Sequence, residues 1–174
     1  DRSTTDGSID QVRFFSKALN QTEVDTLFAE TACTHVSTTD IVNYPTGTTP
    51  VAYYKLDNSS EDYSTGGNDG TDTNIEYRFG RFGQAAVFNG SSSAIVTTAD
   101  FDGSTSSCSS ISFWFNTTQT TAKALFGSDT IQGGASQGST VYLGAASGSI
   151  ADESISFWDF NGSTTSVFYA KGGS

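Results

Sequence analysis

The sequence predicts an all-β fold, an antiparallel jelly-roll β-sandwich with one short helix near residues 20–30. Three observations predict it. Short runs rich in β-branched and aromatic residues recur at 51–56, 75–79, 85–88, 94–97, 111–115, 140–143, 155–160 and 166–169. Turn chemistry separates them: Gly66-Gly67-Asn68-Asp69-Gly70, Asp102-Gly103, Gly133-Gly134 and Asn161-Gly162. Glycine and Asx residues take the turn conformations that end one strand and start the next, and many short strands so spaced argue a sandwich or jelly roll. Finally, 13 % of the 174 residues are aromatic and only 16 % charged, a balance that lets the chain bury a core rather than stay disordered.

The first element is a strand over residues 7–15. Strict alternation would point Asp10, Val12 and Phe14 one way and Ile9, Gln11 and Arg13 the other. Asn20 and Glu23 have capping-box spacing, the Asn side chain accepting an orphan amide while Glu reaches back. Val24, Leu27 and Phe28 follow as the i, i+3, i+4 stripe of a short amphipathic helix ending near Glu30. Residues 31–49 are polar, contain Pro45 and Gly47 and lack a period, so they read as a linker or irregular wrap. From residue 51 onward the texture is β throughout. SISFW occurs twice, at 110–114 and 154–158. Only about five residues match, too few for a repeat unit. Alternation explains the echo as two core strands of one sandwich.

Charge and composition exclude several roles. Eight Lys and Arg against 19 Asp and Glu leave a net charge of −11, which repels phosphate and argues against nucleic acid. No run approaches the roughly 20 apolar residues of a spanning helix, so no membrane insertion is expected. The single histidine, His35, lies in the polar linker, away from any scaffold that would support a nucleophile–imidazole relay. Cys33 and Cys108 lack the neighbours of a zinc site. A disulfide between them would stabilise by roughly 4 kcal/mol in the chain-entropy model. Two separate buried thiols are the other reading. The absence of Met leads us to expect a chain that was cut or processed from a longer one.

Candidate site residues are few. Asp57, Asn58, Glu61, Asp62, Asn68 and Asp69 crowd oxygen atoms into one loop region, a composition that suits calcium, with Asp62 and Asp69 as the expected ligands. The competing reading is that these Asx residues build the turns of the loop, since the spacing follows no EF-hand order. Trp114 and Trp158 are out of phase with Phe113 and Phe157. They either face outward, where an indole stacks on a sugar ring, or fill a second packed face. Asn20, Asn58, Asn89, Asn116 and Asn161 begin N-x-[S/T] sequons, and chance produces several in a chain this rich in Asn, Ser and Thr. The Asn-Gly pairs at 89 and 161 serve turns equally well.

Two segments together resemble a known family. GSIDQVRFFSKALNQTEV (7–24) resembles the closing strand and helix of a laminin-G-like (concanavalin A-like lectin/glucanase) jelly-roll domain. VAYYKLD (51–57), FGRFGQAAVFNGS (79–91) and ISFWFNT (111–117) resemble its opening. The order is inverted, ending before beginning. We therefore expect 1–30 to finish one repeat, 31–49 to link, and 50–174 to open a second, incomplete one, which lacks a Trp-His-His-like middle strand and a closing strand of its own. Residues 9–15 would then fill the closing-strand slot of a neighbouring repeat or subunit, since open sheet edges invite aggregation. The resemblance implies binding of carbohydrate or protein on a repeat-built extracellular or virion surface. Glycosidases of that superfamily need two carboxylates on one sheet face, about 5–9.5 Å apart. No strand here carries such an array, so a non-enzymatic module is expected: a carbohydrate-contacting fibre, appendage or decoration protein of a phage virion, or a bacterial adhesin, or a purely architectural repeat. The expected partners are a cell-surface glycan or neighbouring subunits, in an oligomer.

Overall fold

The computed structural model describes residues 6–29, 50–99, 110–118, 123–127, 138–143, 154–160 and 165–171; in the last three segments it describes the backbone pairing and, of the side chains, Val141 alone. The expected linker with His35, both cysteines, the turns at 102–103, 133–134 and 161–162, and the Trp158 side chain lie outside what is described.

The fold is all-β and antiparallel, with one short helix. In chain order the elements are β1 (Asp6–Phe15), α1 (Gln21–Phe28), β2 (Ala52–Tyr54), β3 (Thr71–Thr73), β4 (Glu76–Phe79), β5 (Gln84–Asn89), β6 (Ala94–Val96), β7 (Ser110–Asn116), β8 (Lys123–Gly127), β9 (Gly138–Leu143), β10 (Ser154–Phe160) and β11 (Thr165–Lys171). All eight expected runs after residue 50 contain a strand. Two strands carried no recognisable signal: β3 is polar and exposed, and β8 is a short apolar run without alternation.

Strand β1 organises the larger sheet. Along one edge it pairs with β7, from Ser8–Asn116 to Phe15–Ser110. Its other edge is shared end to end: residues 6–9 pair with β5 and residues 12–14 with β2. Strand β4 extends the sheet beyond β5 through the Glu76–Phe79 pairing. A second, four-stranded sheet runs β11-β10-β9-β8, and β3 with β6 forms a small two-stranded piece. The two SISFW copies fall on β7 and β10, one in each large sheet.

A bulge in β1 overturns the strict alternation expected there. Between the Asp10–Trp114 and Arg13–Ser112 pairs, β1 uses three steps where β7 uses two. Gln11 lies within this extra step at φ 53, in the left-handed region that one class of bulge uses. The faces therefore swap midway. Ile9, Val12 and Phe14 share one core cluster with Ala52, Tyr54, Leu56 and Ala86, while Asp10 turns toward the β4–β5 loop on the other side. Phe126 of β8 meets Phe14 and Phe113 edge-on at centroid distances of 6.1 and 4.6 Å, so β8 packs onto the core face of the larger sheet. Fully buried core side chains such as Phe14 each contribute about 1.5–3 kcal/mol, and the partly buried Phe113 and Phe126 less.

Helix α1 begins as expected. Asn20 Oδ1 accepts from Glu23 N at 3.0 Å, and Glu23 Oε2 accepts from Asn20 N at 2.9 Å. The stripe is narrower than expected: only Leu27 is buried, and Val24 is exposed. Eight residues touch the sheet through little more than one turn. Among the described residues no helix is long and apolar enough to cross a membrane.

Candidate functional site

Three segments far apart in sequence converge on one four-residue turn. Gly80, Arg81, Phe82 and Gly83 join β4 to β5, closed by Gly80 N donating to Gly83 O at 3.1 Å. From β1, Asp10 Oδ2 accepts from Phe82 N at 2.9 Å. From the end of the β2 segment, Asp57 Oδ1 accepts from Gln84 N at 2.5 Å. Both glycines are required. A Cβ on Gly80 would lie 2.7 Å from Asp10 Oδ2, and Gly83 sits at φ 69 with its Cβ direction aimed into Asp57. Three of the four segments that carried the family resemblance thus lock onto each other through Asp10, Asp57 and this turn.

The turn presents Arg81 and Phe82 to Trp114, which pairs with Asp10 across β1 and β7. The Arg81 guanidinium carbon lies 4.0 Å from the Trp114 ring, a cation–π contact. Phe28 of α1 approaches the same indole at 5.7 Å and Phe82 at 6.4 Å. Trp114 is half-buried, on the face opposite Phe113. At the rim Phe28 is 71 % exposed. The result is an aromatic patch with one guanidinium, mounted on a hairpin held from both sides.

Asp10 underlies this patch and is 3 % exposed. Burial pushes its carboxyl up to about 7. The N–H groups of Phe82, Arg81 and Gln11 oppose that rise and the nearby Asp57 charge adds to it. Oδ2 has its amide, while Oδ1 is buried with no hydrogen-bond partner. A second polar group lies further along β1. Gln11 Oε1 accepts from the Tyr53 hydroxyl at 2.5 Å and from Arg13 Nη2 at 3.1 Å, and the Arg13 guanidinium carbon lies 4.7 Å from the Tyr53 ring.

The acidic loop has a different character. Asp62 Oδ1 accepts from Tyr53 N at 2.9 Å and Ser64 N at 2.8 Å, and Oδ2 from Asn68 N at 2.9 Å and Asn68 Nδ2 at 3.4 Å. Asp69 Oδ1 accepts from Asp62 N at 2.9 Å. Burial alone would raise the Asp62 pKa, but its N–H donors outweigh that and hold it below the usual carboxylate range. The structure does bring Asp62 and Asp69 together, as turn-builders facing N–H groups. Among the described residues no group of three or more His, Cys, Asp or Glu side chains is arranged to hold a metal ion.

Of the other sequence candidates, Trp158 pairs in β10 with Thr140 and Val167, in a different sheet from Trp114. Asn20 caps α1, and Asn89 Oδ1 accepts from the amides of Ser91, Ser92 and Ser93. Sequence reasoning missed Arg81, Phe82 and Asp10. For Asp10 a signal existed: an acid in the middle of a strand that leads into Val12, Phe14 and Phe15 is carried toward a buried sheet, where it must be answered by donors. Comparison with protein-family models, curated proteins and solved structures finds no match to this chain.

Proposed function

We propose that this chain is a non-enzymatic structural or adhesive module that contacts a cell-surface glycan through the patch around Trp114. One observation carries the reading: an indole, two phenyl rings and the Arg81 guanidinium are gathered at one turn, on a hairpin held by Asp10 and Asp57. Ring faces recognise the apolar face of a pyranose, and a guanidinium donates to its hydroxyls or carboxylate. Because Arg81 lies over the indole, a sugar stacking there displaces or shares that contact, while the exposed Phe28 ring offers a face at the rim. The resemblance of residues 7–24 and 79–91 to laminin-G-like jelly rolls supports the same class of role. On that resemblance the setting is a repeat-built virion fibre, appendage or decoration protein of a phage; an extracellular bacterial adhesin is the alternative.

A glycan array tests the proposal. Wild type is expected to retain particular glycans, with affinity falling at least tenfold in Trp114→Ala and in Arg81→Ala while the far-ultraviolet spectrum is kept. An array that stays blank for folded wild type overturns it and leaves the architectural reading, in which the patch only ties α1 and the turn to the sheet.

A further inference from the structure

Strand β1 occupies a slot that the rest of the chain leaves open. Among the described residues β2 and β7 pair with no other strand, and β5 pairs otherwise only with β4. Without β1, the edges of β2, β5 and β7 would face a gap one strand wide, lined by Ala52, Tyr54, Ala86 and Ile111. All of residues 9–15 are buried there. The side chains along β1 are committed to this slot on both faces: Ile9, Val12 and Phe14 in the core, and Asp10 to the amide of Phe82.

The element that fills the slot is joined to it by a long connection. Residues 30–49 separate Ala29 from Pro50. Twenty residues reach at most about 70 Å when extended, well beyond the dimensions of one sheet. Contacts inside the slot are identical whether β1 comes from the same chain or another, so the choice rests on concentration. A connection of that length sets an effective concentration of roughly millimolar order. In dilute solution β1 closes its own chain; where copies are crowded beyond that level, exchange competes.

We propose that β1 with α1 is an exchangeable donor element, and that its partner is a second copy of this chain, whose β2–β5–β7 slot it enters when copies are held close together. The exchange links neighbours through a full set of strand pairings without any new surface. It does not depend on glycan binding.

Cross-strand cysteines test it, with Cys33 and Cys108 changed to Ser in full-length chains. Ser8 pairs with Asn116, a spacing that a disulfide spans. One chain carries Ser8→Cys alone and a second Asn116→Cys alone, so any bond between the two positions forms between chains. The pair is unfolded, mixed, refolded at concentrations from micromolar to several millimolar, and oxidised. The mixed disulfide is expected to rise at least tenfold across that range, and a chain carrying both cysteines should cross-link internally when dilute. Ser8→Cys with Val87→Cys repeats the test on the other edge of the slot, should an Asn116 variant fold poorly. No mixed disulfide at millimolar concentration between folded chains, with the internal bond formed in the double variant, overturns the proposal.

Discussion

Asp10 and Asp62 each hold a loop by accepting backbone amides, yet their carboxyls are displaced in opposite directions. Asp62 collects donors from Tyr53, Ser64 and Asn68 in a half-exposed loop and stays ionised more readily than a free carboxylate. Asp10 sits beneath the Gly80–Gly83 turn, buried, with Oδ1 unpartnered, and is raised to about 7. Donors favour the charged form and desolvation opposes it, and the balance is decided by how many N–H groups reach the oxygens for the water that is lost. One loop is thereby built to stay ionised. The other carries a carboxyl near neutrality under the aromatic patch.

Three experiments bear on this contrast. Asp62→Ala should cost the most, about 3 kcal/mol in denaturant unfolding, because several amides lose a charged acceptor at once. Its stabilising effect is present above the unfolded carboxylate pKa and is lost as pH falls through the depressed folded value. Asp10 should act with the opposite sign. A raised folded pKa means the native state binds the extra proton, so this group's contribution worsens as pH rises from about 4 toward 7. Between pH 5 and 8 wild type should therefore lose roughly 2–3 kcal/mol relative to Asp10→Asn, measured as the difference between their stability–pH curves. Parallel curves would show that Asp10 titrates normally. The smallest effect is expected from Gly83→Ala, about 1–2 kcal/mol, since Ala must adopt φ 69 and displace Asp57 from the turn. Adding Asp57→Ala to that variant should recover part of the loss in the same unfolding assay.

The strands were legible in the sequence because their signals are local. Turn residues bracket β2, β4, β5 and β6, and the Asn20–Glu23 spacing announced the start of α1. Strand β8 escaped because a run such as Ala124-Leu125-Phe126 has no period of its own until a sheet face receives it. Within the site, Trp114 was found by its phase against Phe113. Arg81 and Phe82 were read only as part of a motif, since nothing local says that the turn between β4 and β5 lies over β7. The acidic loop reads first as turn chemistry, with a cation as the other reading; the N–H groups of Tyr53, Ser64 and Asn68 all point at the Asp62 carboxylate, the arrangement that turn-building uses.

What the sequence determined by itself is the kind of element at most positions, the turns between them and an acidic surface, all set by neighbours within a few residues. Tertiary structure decided three things. It put β1 between β7 on one edge and β5 with β2 on the other, across separations of some 40 to 100 residues. It reversed the facing of half that strand through the Gln11 bulge. And it moved Asp10 to near-neutral ionisation, because the water removed from a carboxyl and the amides brought to it depend on which segments meet there.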